Sequence, residues 1–187
     1  MKFTGETEFT DGLTLEQKLG FADSIHREIL NSKNSYVVGI DISEIACLYR
    51  NLTGEERLVV IMVERSVGEL LNPDKVRWNS ESTRIYTLID GDRDCVFQKL
   101  KKINEVITKN FGYGTTIVGI PPSEDDKELI MLPSADPKKE LKEGDKIFYT
   151  QVFDKLNRQL DTAIMNRRNI EIYTLEGIPC DGAYRNV

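Results

Sequence analysis

Three aspartates stand at alternate positions in the stretch LIDGDRDC, residues 88–95: Asp90, Asp92 and Asp94. Two kinds of chemistry ask for carboxylates in such a place. A hard cation such as Mg²⁺ is held by one or two carboxylates plus waters, and a strand end leading into a turn is a common seat for them. A helix start asks for them as well, because its first four N–H groups lack intrahelical partners and carry partial positive charge. Each contact of the second kind stabilises by about 0.3–1 kcal/mol, enough to account for the triplet with no cofactor. Local electrostatics at a helix opening is therefore the expected role.

The metal alternative needs a further acid, and Glu64 is the candidate. It follows the apolar run 58–63 (LVVIMV), read here as a strand. If that strand neighbours the one ending near residue 89, Glu64, Asp90, Asp92 and Asp94 meet at one sheet edge around a Mg²⁺ ion. An acid at one strand end followed by Asp-x-Asp at another resembles the Toprim domain of nucleic-acid-cleaving enzymes. The resemblance implies a Mg²⁺-dependent phosphoester- or nucleotide-processing enzyme. The chain departs from that pattern in having Arg65 where glycine usually follows the glutamate, and in a short interval between Glu64 and Asp90. Residues 38–44 (VGIDISE) resemble the strand of Rossmann methyltransferases whose terminal acid binds a ribose. The glycine-rich turn that must precede such a strand is missing, since the upstream helix offers only Gly20.

Other reactive residues are few. His26 is the sole histidine, so a nucleophilic triad or a catalytic zinc would have to use it. It falls inside an apolar helical stripe, where a hydrogen-bonded core imidazole is the plainer expectation, and it is retained as a candidate binding residue beside Trp78. That single tryptophan lies in the longest expected loop, residues 65–82, and aromatic side chains on loops over a rigid scaffold often carry recognition. No Gly-x-Ser-x-Gly, HExxH or Walker sequence occurs. Cys47, Cys95 and Cys180 are far apart and lack CxxC spacing, which argues against a disulfide framework or a zinc site and for a reducing, cytoplasmic setting.

The elements that must position these residues are read from periodicity. Thr14 and Gln17 form a capping box opening a helix of about five turns, with Leu15, Leu19, Ala22, Ile29 and Leu30 on one side. Residues 36–42 and 58–63 read as central strands, with a short helix between them; 84–89 reads as a third strand. A long helix follows from about residue 92 to 111, with Val96, Leu100, Ile103 and Ile107 as its stripe and Gly112 as its left-handed cap. Strands are expected at 115–120, 128–132 and 170–175. Asp136-Pro137 should open a helical turn, and Asp145 should cap the last helix, whose stripe starts at Phe148 and whose last turn holds Arg167 and Arg168. The strand–helix–strand order from 84 to 120 and from 128 to 175 suits parallel crossovers. The expectation is one α/β or α+β domain over residues 13–175: a mixed five- to six-stranded sheet with three long helices, flanked by a loose arm (1–12) and a tail (176–187).

A chain of 187 residues suits a single core. Its net charge of −6 offers no general field for phosphate backbones, so nucleic acid is not the expected partner. No apolar run approaches bilayer length, so no membrane partner is expected either. With so thin a catalytic inventory, the expected function is that of a non-enzymatic binding or assembly protein. It would act through surface recognition of a protein partner or by self-association as a homo-oligomer, as an accessory protein of a bacterium or phage.

Overall fold

The computed structural model describes residues 12–53, 56–71, 77–78, 83–131, 142–172 and 184–185. These form one mixed α+β unit. Its centre is β1 (Ser35–Asp41), antiparallel both to β3 (Arg84–Asp90) on one side and to β4 (Thr116–Ile120) on the other. β7 (Arg168–Ile172) lies parallel to β4. Two-residue strands, β2 (Arg77–Trp78) and β8 (Tyr184–Arg185), add to the outer edges, giving the order β2-β3-β1-β4-β7-β8. The substantial sheet thus has four strands, fewer than expected. Six α-helices accompany it among the described residues, rather than three.

Helices cover both faces of the sheet. α3 (Ser43–Thr53), α4 (Glu56–Leu70) and α5 (Arg93–Phe111) enclose one core, into which β1 sends Val38 and Ile40, β3 sends Ile85 and Ile89, and β7 sends Ile170 and Ile172. The alternate strand positions, Val37, Tyr86, Leu88, Val118 and Ile120, meet α2 (Ser24–Asn31) and α6 (Gln151–Met165). The period-two alternation of a strand explains how one chain segment feeds two cores. Gly39 faces α6 where a Cβ would stand 2.7 Å from Leu160 Cδ1, and this close approach seats the helix against the middle of the sheet. Each residue removed from water here contributes roughly 1.5–3 kcal/mol for a Val, Leu or Ile side chain.

α5 follows its sequence signals closely. Asp92 caps it, its carboxylate accepting from Cys95 N at 2.8 Å; Val96, Leu100, Ile103 and Ile107 are buried, and Gly112 ends it at φ 75°. The parallel crossover expected from the strand at 128–132 to the one at 170–175 is not formed: β7 runs parallel to β4 instead, and β3 and β4 each pair with β1 rather than with one another. β5 (Leu129–Met131) and β6 (Phe148–Thr150) pair antiparallel in a separate ribbon rather than joining the main sheet. Phe148, expected as the first stripe residue of the last helix, is a fully buried strand residue instead. With Ala22, Leu129 and Met131 it makes a third, smaller core against α1 (Leu15–Phe21).

Several expectations are corrected. The apolar run 58–63 is not a strand but the middle of α4, because Val59, Val60, Val63 and Val67 recur at helical steps and are buried together. A continuous apolar run of six cannot by itself distinguish a covered strand from a buried helix. The stretch expected as a loop from residue 65 is therefore helical as far as Leu70, and Arg77–Trp78 within it form β2. The first helix is two: α1 keeps its Thr14–Gln17 capping box, then Asp23 accepts from Ile25 N and His26 N and opens α2 in a new direction. An aspartate competes with the helical ladder for nearby N–H groups, which favours such a restart. Asp145 lies in a short 3-10 turn (Glu143–Asp145) and not at the start of α6. Arg167 adopts φ 53° after α6 has ended, and Arg168 begins β7, so neither is in the last helical turn. Asp136-Pro137 and residues 1–11 lie outside the described residues. Two residues of the expected tail, Tyr184 and Arg185, pair with β7. No described helix is long and apolar enough to cross a membrane.

Candidate functional site

The aspartate triplet resolves into three separate roles. Asp90 ends β3 and accepts from the Ser35 hydroxyl of β1, tying the two strand ends together. Asp92 is the N-cap of α5, and Asp94 in the first turn lies beside Arg93, Nε to Oδ1 3.2 Å. Glu64 does not close a strand; it sits within α4, half-buried. The sheet edge that was to unite it with Asp90, Asp92 and Asp94 is therefore not formed by these residues. Among the described residues, no three His, Cys, Asp or Glu side chains are grouped to hold a metal ion.

His26 lies at 6% exposure between α2 and the junction of β6 with α6. The Thr150 backbone N–H donates to its Nδ1 at 3.2 Å, the Thr150 hydroxyl stands 3.2 Å from the same nitrogen, and the ring packs on Phe153 with centroids 4.5 Å apart. Because a backbone N–H can only donate, Nδ1 must be the acceptor, and the neutral ring carries its proton on Nε2. Burial lowers the pKa of His26 below its ordinary 6.5, against a smaller opposing pull from Asp23. Protonation would set one N–H against another. The unfolded chain then binds more protons below pH 6.5 than the folded one, so this stability is whole above pH 6.5 and is lost as pH falls through the lower folded value. In melts from pH 8 to 5, the wild type is expected to lose melting temperature faster than His26→Gln, which cannot titrate. Parallel curves would show that the imidazole is not the group responsible. Trp78, by contrast, is placed by its backbone in the outermost strand, paired through its register with Ile85.

A polar network absent from the sequence reading lies where β1 ends and β3 begins. Arg84 Nε donates to Asp41 Oδ2 at 2.8 Å, its Nη1 donates to Asn157 Oδ1 at 2.9 Å, and its Nη2 pairs with Asp161. The other Asp41 oxygen accepts from both the backbone N–H and the hydroxyl of Ser43 at the start of α3. Tyr86 donates to the same Asn157 oxygen at 2.7 Å. Burial disfavours the Arg84 charge, but the hydrogen bonds and charges of Asp41 and Asp161 outweigh it and raise its pKa. No spacing rule announces these residues, since they come from β1, β3 and α6.

A cavity of about 310 Å³ adjoins this network, with Asp41, Ser43, Glu44, Thr116, Arg167 and Arg168 among its walls. Its most buried acid, Asp41, is engaged by Ser43 and Arg84, and Arg168 is bound to the buried Glu171. Charges satisfied in this way tie strand ends and helices to one another. A shallower depression of about 420 Å³ runs past Arg27, Ser35 and Asp90. There the Arg27 guanidinium is fixed on the Ala22 carbonyl at 2.7 and 2.8 Å.

The outer surface of α4 differs from both. Leu58, Ile61 and Met62 are 47%, 52% and 42% exposed within little more than one turn, and Leu52 at the end of α3 is 72% exposed. Isolated exposed apolar residues are ordinary, whereas several on one helical face make a candidate contact surface. The buried valines opposite them explain their direction: with Val59, Val60, Val63 and Val67 turned into the core, residues 58, 61 and 62 must face outward.

No protein-family model, no curated protein and no solved structure matches this chain.

Proposed function

We propose that the protein is a binding or assembly protein that acts by surface recognition, without chemistry and without a cofactor. The observation that carries this reading is the apolar stripe of Leu58, Ile61 and Met62 on the outward side of α4, each left about half exposed. Polar groups with partners inside the chain support it from the other direction. His26, Asp41, Arg84 and Asp92 each have a partner within the chain that explains their presence as architecture.

The direct test replaces Leu58, Ile61 and Met62 together by glutamine. Surface substitutions that touch no core contact usually stay within about 0.5 kcal/mol each, so the melting temperature is expected to move by no more than roughly 6 °C. Retention of the wild type on a weakly hydrophobic matrix should disappear in the variant. A variant that unfolds at ambient temperature would make these three residues part of the core and end the reading.

A further inference from the structure

We propose that the partner recognised by this stripe is a second copy of the chain, docked antiparallel through α4 about a two-fold axis near Ile61; the proposal rests on the surface-recognition reading above. The charges beside the stripe carry the argument. Arg57 and Glu64 are seven residues apart, so at about 100° per residue they lie within roughly 20° of each other, on the same flank of the helix as Ile61. When two such helices run antiparallel across a two-fold, each flank meets its own counterpart in reverse order. Centred on Ile61, that arrangement sets Arg57 of each copy opposite Glu64 of the other. Ile61 meets Ile61, and Leu58 meets the aliphatic stem of Arg65. Two equivalent ion pairs thus bracket an apolar centre.

Among the described residues, nothing competes for these charges. Among the described residues, neither Arg57 nor Glu64 has an ion-pair partner, whereas Arg65 is held by Glu69 one turn on, at 3.8 Å. The face also escapes a general obstacle to self-association. The whole chain carries a net charge of −6 and repels its own copy, yet Arg57 and Arg65 balance Glu64 and Glu69 on this surface. A self-complementary contact here therefore brings opposite charges together where most of the surface would bring like ones.

Sedimentation equilibrium of the full chain tests the arrangement with three variants, circular dichroism serving to confirm that each is folded. The wild type should be a dimer, and Ile61→Asp a folded monomer. Arg57→Glu should raise the dimer dissociation constant by about tenfold or more, because each copy then opposes two acids. The double exchange Arg57→Glu with Glu64→Arg should return it to within about threefold of the wild type, since the pairing is restored with its signs reversed. A wild type that stays monomeric at high concentration overturns the proposal, while the hydrophobic retention described above still judges the recognition surface on its own. A dimer indifferent to Ile61→Asp also overturns it by placing the contact elsewhere. A double exchange no tighter than Arg57→Glu alone refutes the antiparallel register.

Discussion

Replacing Arg84 by methionine is expected to destabilise the protein by about 3 kcal/mol, the scale for leaving one member of a buried ion pair uncompensated. Asp41 is the reason. Its side chain is only 6% exposed, and without the guanidinium it keeps Ser43 as a donor but loses its one opposing charge. Asn157 loses a donor at the same time, although the Tyr86 hydroxyl remains bound to it. For a chain of this length such a loss lowers the melting temperature by roughly 6–12 °C. Asp41→Asn combined with Arg84→Met should recover part of the loss, because the buried charge is then removed along with its partner. A single variant that melts within a degree or two of the wild type would mean that water replaces the guanidinium and that the network does not hold the strand ends.

The second large effect belongs to the small third core. Phe148→Ala removes a fully buried ring that stacks on Phe21 with centroids 6.1 Å apart, and truncations of this kind cost about 3–5 kcal/mol. The consequence should be uneven. The ribbon of β5 and β6 with α1 encloses a cluster separate from the two that flank the sheet, so amides of β5 and β6 should lose exchange protection before those of β1 and β4. Denaturant melts give the total, and native-state hydrogen exchange gives its distribution. A loss below about 1 kcal/mol, or one spread equally over β1 and β4, would join this cluster to the main cores.

Both predictions rest on residues whose importance was poorly visible in the linear chain. Phe148 does fit the four-residue rhythm of Val152, Leu156 and Leu160, and by spacing alone it belongs to their helix. What removes it is its pairing with Met131 across the ribbon. The Arg84 network had no local signature at all: Arg84 and Asp41 are 43 residues apart, and Arg84 and Asn157 are 73 apart. His26 was readable in part. Its place on an apolar stripe indicated burial, while the Thr150 N–H that decides its tautomer comes from 124 residues away.

Of the three aspartates, Asp92 shows where local reasoning suffices, whereas Asp90 ends β3 and is bound to Ser35, 55 residues away. Asp92 caps α5 through contacts within three residues, and Gly112 ends the same helix because only a residue free of a Cβ takes a left-handed conformation without strain. Capping, turn conformation and the three- to four-residue rhythm of Val96, Leu100, Ile103 and Ile107 act over one or two turns, so the sequence by itself determined α5, β1, β3 and β4. Whether residues 58–63 became strand or helix, where the acids of Glu64 and Asp90 went, and which apolar side chains stayed in water were decided only by tertiary packing. A β-branched run is compatible with either geometry, and the balance is set by the surfaces it buries, whose partners lie far off along the chain.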